Sequence, residues 1–388
     1  MKKNLTFWQN IPSIHQAPLI RQVAERWRGT VRVVTETDVP EWRRCQGWSQ
    51  PDFGNAEVVI APDRTERRTL VARADSAKGV HLFSGINAYP ETYWTLKQLA
   101  TTEAVLCVMI EPGHHNDHAK VNLRRWYHKA LAHRWRRRLN LVLATGALGC
   151  VWWRAAGFPA EKVIPFGYFV EPPDSAALPA TSISKCESFR IIHVGQINRG
   201  KALDVLLRSL AGLNRRDWML DIVGTGPKVI EYRRLSASLG VADRVRWFGN
   251  VSNIEVLRAM SEADLLVLPS RYDGWGAVVN EALSVGTPII ASDACGAADL
   301  LKAPWRGEVF PSEKIRALTD ALQRRIAAGP ISSEQRQRLR AWARKAISPA
   351  SAARYLIDVL ENVHEPHPSA IPPPWLCTGI DSVMVARW

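Results

Sequence analysis

At 388 residues the chain is longer than one hydrophobic core usually serves, so two domains are expected. Hydrophobic residues at 46% and charged residues at 23% are the balance of a globular protein, and a net charge of +14 favours phosphate-rich partners: nucleotide, anionic lipid or nucleic acid. The longest charge-free apolar stretch, residues 139–153, falls short of the roughly 20 residues a spanning helix needs, and this excludes a membrane-spanning class. Two N-terminal lysines run straight into Asn4, Gln9 and Asn10, so no signal-peptide core is expected. Cysteines 45, 107, 150, 186, 295 and 377 are scattered without Cys-x-x-Cys or metal-ligand spacing, so reduced cytoplasmic thiols and a soluble or peripheral protein are expected.

From the N-terminus, short apolar runs alternate with longer polar or helical segments. Residues 5–8, 31–34, 56–60, 80–83, 104–110 and 141–144 are the strand candidates. Such alternation predicts a doubly wound parallel sheet, whose ligands bind beyond the carboxyl ends of its strands. Two loops are singled out by that rule. Residues 9–17 offer Ser13, His15 and Gln16 as donors, with a plain helix start capped by Ser13 as the other reading. Residues 111–116 open on Glu111 and carry His114 and His115. Adjacent histidines point apart and Asp117 has no i+4 partner on their face, so no metal is expected there.

No acidic residue occurs between His118 and Ala160. Lys120, Arg124, Arg125, Lys129, Arg134, Arg136, Arg137 and Arg138 are interleaved with Trp126, Tyr127, Leu131 and Trp135 at three- and four-residue steps. This predicts a basic helix over 120–138 with one apolar stripe. Three readings compete for it: packing on the sheet, docking on an anionic membrane, or tracking a nucleic-acid backbone. Residues 171–184, rich in proline, alanine and serine, read as an interdomain linker and hinge.

The second half opens with a strand at 189–194, the loop Gly195-Gln-Ile-Asn-Arg-Gly-Lys-Ala-Leu-Asp204 and a helix over 203–213. A strand at 218–223 leads to Gly224-Thr-Gly-Pro227 and a helix to Leu239, followed by a strand at 245–251. Residues 263–268 read as a buried strand, Gly274 and Gly276 loosen the backbone, and a helix over 277–285 is closed by Gly286 and Pro288. A strand, a glycine loop and a helix N-terminus in that order form an anion site. Asp273 stands at the loop mouth and Glu281 about two turns into the helix. Their plain readings are a helix N-cap and a solvated helix position. Strands at 287–293 and 307–310, a helix at 351–363 packed back toward the first domain, and a poorly ordered proline-rich tail over 364–388 complete the chain.

Asp273-Gly-Trp-Gly-Ala-Val-Val-Asn-Glu281 resembles the signature of the family 4 glycosyltransferases, where two glutamates are separated by seven residues with Gly-Phe-Gly after the first. The resemblance, followed in matching order through the second half, implies an α/β GT-B fold: two Rossmann-like, doubly wound domains facing a central cleft. Residues 1–170 would form the first domain, 171–185 the linker, 186–350 the second domain and 351–363 the return helix. It implies that Glu281 holds the ribose, while Asp273 and the backbone of Gly274, Trp275 and Gly276 hold the transferred sugar. Lys201 would neutralise the diphosphate. Gln196 stands where the family has an arginine and Ala202 where it has a glycine, with Arg199 placed to restore the lost charge. Gly224 and Val251 fall at turns facing the nucleotide, Glu111 where a donor-contacting residue is common, and His15 and His114 on the acceptor or sugar side. The glycine pair of the family's first loop is absent.

The implied function is retaining, metal-independent hexosyl transfer from a UDP- or GDP-type nucleotide-sugar, without cofactor, to a glycan or lipid-linked acceptor in bacterial surface polysaccharide synthesis. The expected location is the cytoplasm or the inner face of the cell membrane. Two other classes stay open: an inactive nucleotide-sugar-binding protein, and a nucleic-acid-binding protein suggested by charge alone.

Overall fold

The structure is a computed structural model that describes residues 3–44, 48–113, 118–172, 188–365 and 371–377. It divides into two compact units, Met1–Glu171 with Ala346–Trp388, and Pro172–Lys345.

The first unit is built on β1 (Leu5–Gln9), β2 (Val31–Thr35), β3 (Glu57–Ile60), β4 (Val80–Ser84), β5 (Val105–Ile110), β6 (Leu141–Thr145) and β7 (Val163–Phe166). They pair in the order β3-β2-β1-β4-β5-β6-β7, all parallel. The central strands are buried along nearly their whole length, polar Thr6, Gln9 and His81 included, because helices cover both faces. The sequence reading did not place a strand at 163–166. Pro165 cannot donate to a ladder, and β7 tolerates it because it lies at the sheet edge. The helix Ala17–Arg26 starts after Gln16, not after Ser13; the Ser13 carbonyl instead accepts from the Gln16 and Ala17 amides. The helix Pro349–Glu361, capped by the Ser348 hydroxyl, packs on it within this unit. The Tyr355 hydroxyl donates to the Pro165 carbonyl at 3.1 Å.

The basic helix runs from His118 to Trp135, so Arg136, Arg137 and Arg138 lie beyond its end; the Lys120 side chain is outside the described set. Its apolar stripe is split. Leu131 and Trp135 are buried, with Trp135 edge-on to Tyr93, whereas Leu123 and Trp126 are each 68% exposed and Tyr127 45%. The last turn packs on the core, and one turn earlier His128 rests on the core residues Trp152 and Trp153.

The second unit carries β8 (Phe189–Val194), β9 (Trp218–Val223), β10 (Val245–Gly249), β11 (Leu265–Leu268), β12 (Ile289–Ser292) and β13 (Gly307–Phe310), again all parallel, in the order β10-β9-β8-β11-β12-β13. The helix Leu203–Ala211 buries Leu203, Leu206, Leu207 and Leu210 against Leu220, Ile222 and the helix Ile315–Ala328. The doubly wound expectation holds in both units. Each chain path moves outward in one direction, returns to the middle, and moves outward in the other. The reversal falls between β1 and β4 and between β8 and β11, and loops leaving two such strands part to leave a crevice.

Ala202 sits in that second crevice, fully buried, with φ 53° and ψ 38°. A left-handed alanine carries steric strain that glycine lacks. Ala202→Gly is therefore expected to raise the stability of the second unit by about 0.5–1 kcal/mol, read as a higher urea midpoint. A lower midpoint would mean that packing of the buried methyl outweighs the strain.

Candidate functional site

The loops leaving β8 and β11 supply two charged groups. The first is a tight turn in which Asn198 Oδ1 accepts from the Lys201 amide at 3.0 Å and the Arg199 carbonyl from the Ala202 amide at 3.3 Å. The Lys201 stem lies over Gly195, where a Cβ would stand 3.7 Å from Lys201 Cε. The stem carries Nζ to 2.5 Å from Asp273 Oδ2, with the two side chains 25% and 13% exposed. Asp273 is therefore not the helix cap. Gly276 occupies that position in a left-handed conformation, and no side chain caps the helix Ala277–Val285.

Residues 273–276 are fixed on segment 294–297. The Asp273 amide donates to the Ala294 carbonyl at 3.0 Å, the Gly296 amide to the Asp273 carbonyl at 3.1 Å, and the Ala297 amide to the Trp275 carbonyl at 2.7 Å. The buried Cys295 thiol reaches the same Trp275 carbonyl at 2.9 Å. Gly276 is required for space as well as for its φ of 90°, since a Cβ would stand 2.7 Å from Cys295 Sγ. The Trp275 indole is buried and donates to Asn280 Oδ1 at 2.8 Å, so only its backbone faces the loop mouth. The helix begins directly behind this loop; its Val279 amide donates back to the Gly276 carbonyl at 2.9 Å, and the amides that open a helix ahead of that point find no acceptor in a preceding turn.

Glu281, two turns on, is half-buried rather than a solvated helix position. Burial pushes its carboxyl up from 4.5 to about 7, and no other group among the described residues offsets that shift.

Gly224 binds the neighbouring loops together. Its amide donates to the Gly249 carbonyl at 2.7 Å, and a Cβ there would meet the Gly195 carbonyl oxygen at 2.1 Å. Val251 follows β10 in the adjacent loop, partly exposed. Gln196 is exposed, with its Oε1 accepting from Asn198 Nδ2 at 2.8 Å, and the Arg199 side chain is also exposed.

Two residues that the sequence reading passed over join this cluster. Arg271 forks onto Asp204, with Nη1 and Nη2 donating to its two oxygens at 2.9 and 2.8 Å. Arg271 lies inside the signature stretch and Asp204 closes the Lys201 loop, but no sequence spacing links them.

The remaining candidates belong to the first unit. Glu111 follows β5, and its Oε1 accepts from the Tyr168 hydroxyl at 2.9 Å. His15 follows β1 and stands edge-on to Trp48 with ring centroids 5.3 Å apart. Burial, helped by the nearby Arg43 charge, lowers its pKa to about 4, so it is neutral near pH 7. His114 lies outside the described residues. Among the described residues, no group of three or more His, Cys, Asp or Glu is arranged to hold a metal ion, and no helix is long and apolar enough to cross a membrane.

Residues 174–346 match the family model described as glycosyl transferases group 1. The chain is 30% identical over 170 residues to an alpha-D-kanosaminyltransferase of Streptomyces kanamyceticus, covering 43% of this chain and 42% of that protein. It is 29% identical over 141 residues to a GDP-mannose-dependent alpha-(1-6)-phosphatidylinositol monomannoside mannosyltransferase of Mycolicibacterium smegmatis, covering 34% of this chain and 37% of that protein. Each match thus spans less than half of the relative's length. In three dimensions the chain is similar to Anabaena Alr3699/HepE, solved in complex with UDP, with a TM-score of 0.71 at 16% identity over 92% of this chain and 100% of that one. Over residues 174–346 the chain is thus similar to glycosyl transferases group 1, and its fold of two Rossmann-like parallel-sheet domains is shared with GT-B glycosyltransferases.

Proposed function

We propose that this protein is a retaining, family 4 glycosyltransferase that moves a hexosyl group from a UDP- or GDP-type nucleotide-sugar to a glycan or lipid-linked acceptor in bacterial surface polysaccharide synthesis. The observation that carries the reading is the convergence of Lys201, Asp273 and a glycine-loop helix N-terminus at one crevice, with the half-buried acid Glu281 in that helix. The sugar-transferring relatives and the UDP bound to the similar Anabaena structure support the donor class.

In this reading the bond between the anomeric carbon and the diphosphate oxygen breaks, and its electron pair leaves with the diphosphate. The Lys201 ammonium and the first-turn amides of Ala277–Val285 stabilise that charge by preorganised electrostatics. The acceptor hydroxyl bonds to the anomeric carbon on the face the diphosphate leaves, and its proton passes to a departing phosphate oxygen. The step uses no metal and no cofactor. Asp273, released from Lys201 by the incoming diphosphate, accepts from a sugar hydroxyl. Glu281 accepts from the ribose hydroxyls, with the turns at Gly224 and Val251 beneath the base and Gln196 and Arg199 beside the phosphates. Glu111, His15 and His114 are assigned to the sugar or the acceptor.

Exposed Leu123, Trp126 and Tyr127, at i, i+3 and i+4 beside Arg125, Lys129, Arg134, Arg137 and Arg138, favour a peripheral position on an anionic membrane surface. The basic groups supply attraction to lipid headgroups, and the three apolar side chains supply insertion.

Three measurements test these assignments. Lys201→Ala is expected to lower turnover with UDP- or GDP-sugars by about 10- to 100-fold, because a charge-assisted contact contributes roughly 1.5–3 kcal/mol; unchanged turnover in the folded variant would place the diphosphate elsewhere. For Glu281, the folded carboxyl holds its proton up to about pH 7 while the unfolded one releases it near 4.5. Stability is therefore lost as pH rises through that window. Glu281→Gln should raise the stability of the ligand-free protein by up to about 3 kcal/mol at pH 8 but only roughly 1 kcal/mol at pH 5, and at both should reduce the melting shift given by UDP or GDP. A gain independent of pH would remove the buried-carboxyl account, and an undiminished nucleotide shift would remove the ribose role. On the membrane, the protein should sediment with phosphatidylglycerol vesicles more than with neutral ones, weakening as salt rises. Leu123→Ala with Trp126→Ala should release it; retention by that variant would return the helix to a plain structural role.

A further inference from the structure

Arg271 is tied to the segments on both sides of Lys201. Its backbone amide donates to the Gly200 carbonyl at 2.8 Å and Nη1 to the Arg199 carbonyl at 2.9 Å, one and two residues before the lysine. Its fork onto Asp204 takes hold three residues after. Nε donates to Glu313 Oε1 at 2.8 Å, which attaches the same guanidinium to the loop that follows β13. Two residues along the chain stands Asp273, the partner of Lys201. One side chain therefore grips the β8 loop around the lysine from the β11 loop that carries the acid.

These contacts are local to the crevice. Its partners Arg199 and Glu313 lie on loops and Asp204 in the first turn of the helix Leu203–Ala211, and the Arg271 side chain is only 14% exposed. A planar fork held at four points fixes both distance and orientation between the segments it joins, which a lysine ammonium does not. The hydrogen bonds to Asp204 and Glu313 hold Arg271 charged well above its ordinary range. Burial acts to raise Asp204, but its bonds to Arg271 prevail and keep the carboxylate ionised. Tyr232, with its hydroxyl 3.4 Å from Asp204, braces the acid from the helix Val229–Ser238.

We infer that Arg271, forked onto Asp204, is a positioning residue that sets where Lys201 meets the second phosphate of the donor nucleotide. The inference rests on the donor reading given above. Arg271 touches neither donor nor acceptor in it. Instead it holds the turn of residues 199–204 at a fixed offset from Asp273, so that the lysine stem, laid over Gly195, delivers its ammonium to one place. Without the fork the lysine keeps its charge but loses that placement. The cost then falls on the second phosphate and not on the rest of the nucleotide.

The test compares affinity for UDP with affinity for UMP, with GDP and GMP run beside them, by titration calorimetry on the full chain. Lys201→Ala is expected to reduce the wild-type preference for the diphosphate by about tenfold or more. Arg271→Lys, which retains the charge and removes the fork, is expected to reduce it by a comparable factor while UMP affinity stays within about twofold. The double variant should lose no more than either single one, because both remove the same contact. Equal loss of UDP and UMP affinity in Arg271→Lys, or effects that multiply in the double variant, would overturn the positioning role. If Arg271→Lys does not fold, Asp204→Asn carries the same expectations. An unchanged diphosphate preference in Lys201→Ala, or no nucleotide binding by the wild type, would overturn the donor reading itself, without reference to Arg271.

Discussion

An ammonium and a carboxylate 72 residues apart meet here because two neighbouring parallel strands send their connections to opposite faces of one sheet. The helix after β8 packs on one side and the helix after β11 on the other, so their loops part at the carboxyl edge and leave a crevice lined from both. Lys201 and Asp273 stand across it. The rest of the second unit maintains that placement. The apolar strands fix the two loop origins, the glycines at 224 and 276 allow a close approach where a Cβ would collide, and Arg271 ties one loop to the other.

The site is held at some cost to the fold. Ala202 is kept in a left-handed conformation, and Glu281 is half-buried without an offsetting charge among the described residues. Both are the kind of local penalty that a ligand-binding crevice tolerates when the surrounding core over-determines it. The Lys201–Asp273 pair is different in character. It satisfies two charges that would otherwise be half-buried and alone, and it leaves each of them available to a partner of the opposite kind. Under the proposed function a diphosphate would compete for the lysine and a sugar hydroxyl for the aspartate, and the two events would be coupled because each frees a group for the other.

Much of the architecture was legible in the sequence, since parallel strands buried on both faces read as short apolar runs. The helix Ala277–Val285 matched its expected limits because Gly276 and Gly286 both take left-handed conformations at its ends. β7 was missed because Pro165 argues against a strand unless the strand is known to be an edge. The stripe on the helix His118–Trp135 was read as continuous because period alone does not reveal where a neighbouring layer stops. Tyr127, Leu131 and Trp135 follow one another at four-residue steps, yet Tyr127 is 45% exposed and Trp135 3%, while Trp126, nine residues before Trp135, falls on the opposite side of the helix.

By itself the sequence determined the class of the fold, the order of its strands along the chain, the glycine loop, and the candidate groups Lys201, Asp273 and Glu281, because periodicity and the conformational freedom of glycine are local properties. Tertiary structure alone decided which of those groups meet. Whether Asp273 caps a helix or pairs with Lys201, whether Glu281 is solvated or buried, and whether Arg271 is a surface charge or a clamp depend on side chains brought together from distant loops. Strand order in space sets those contacts, and strand order follows from how all the apolar faces pack at once, which no window of the sequence contains.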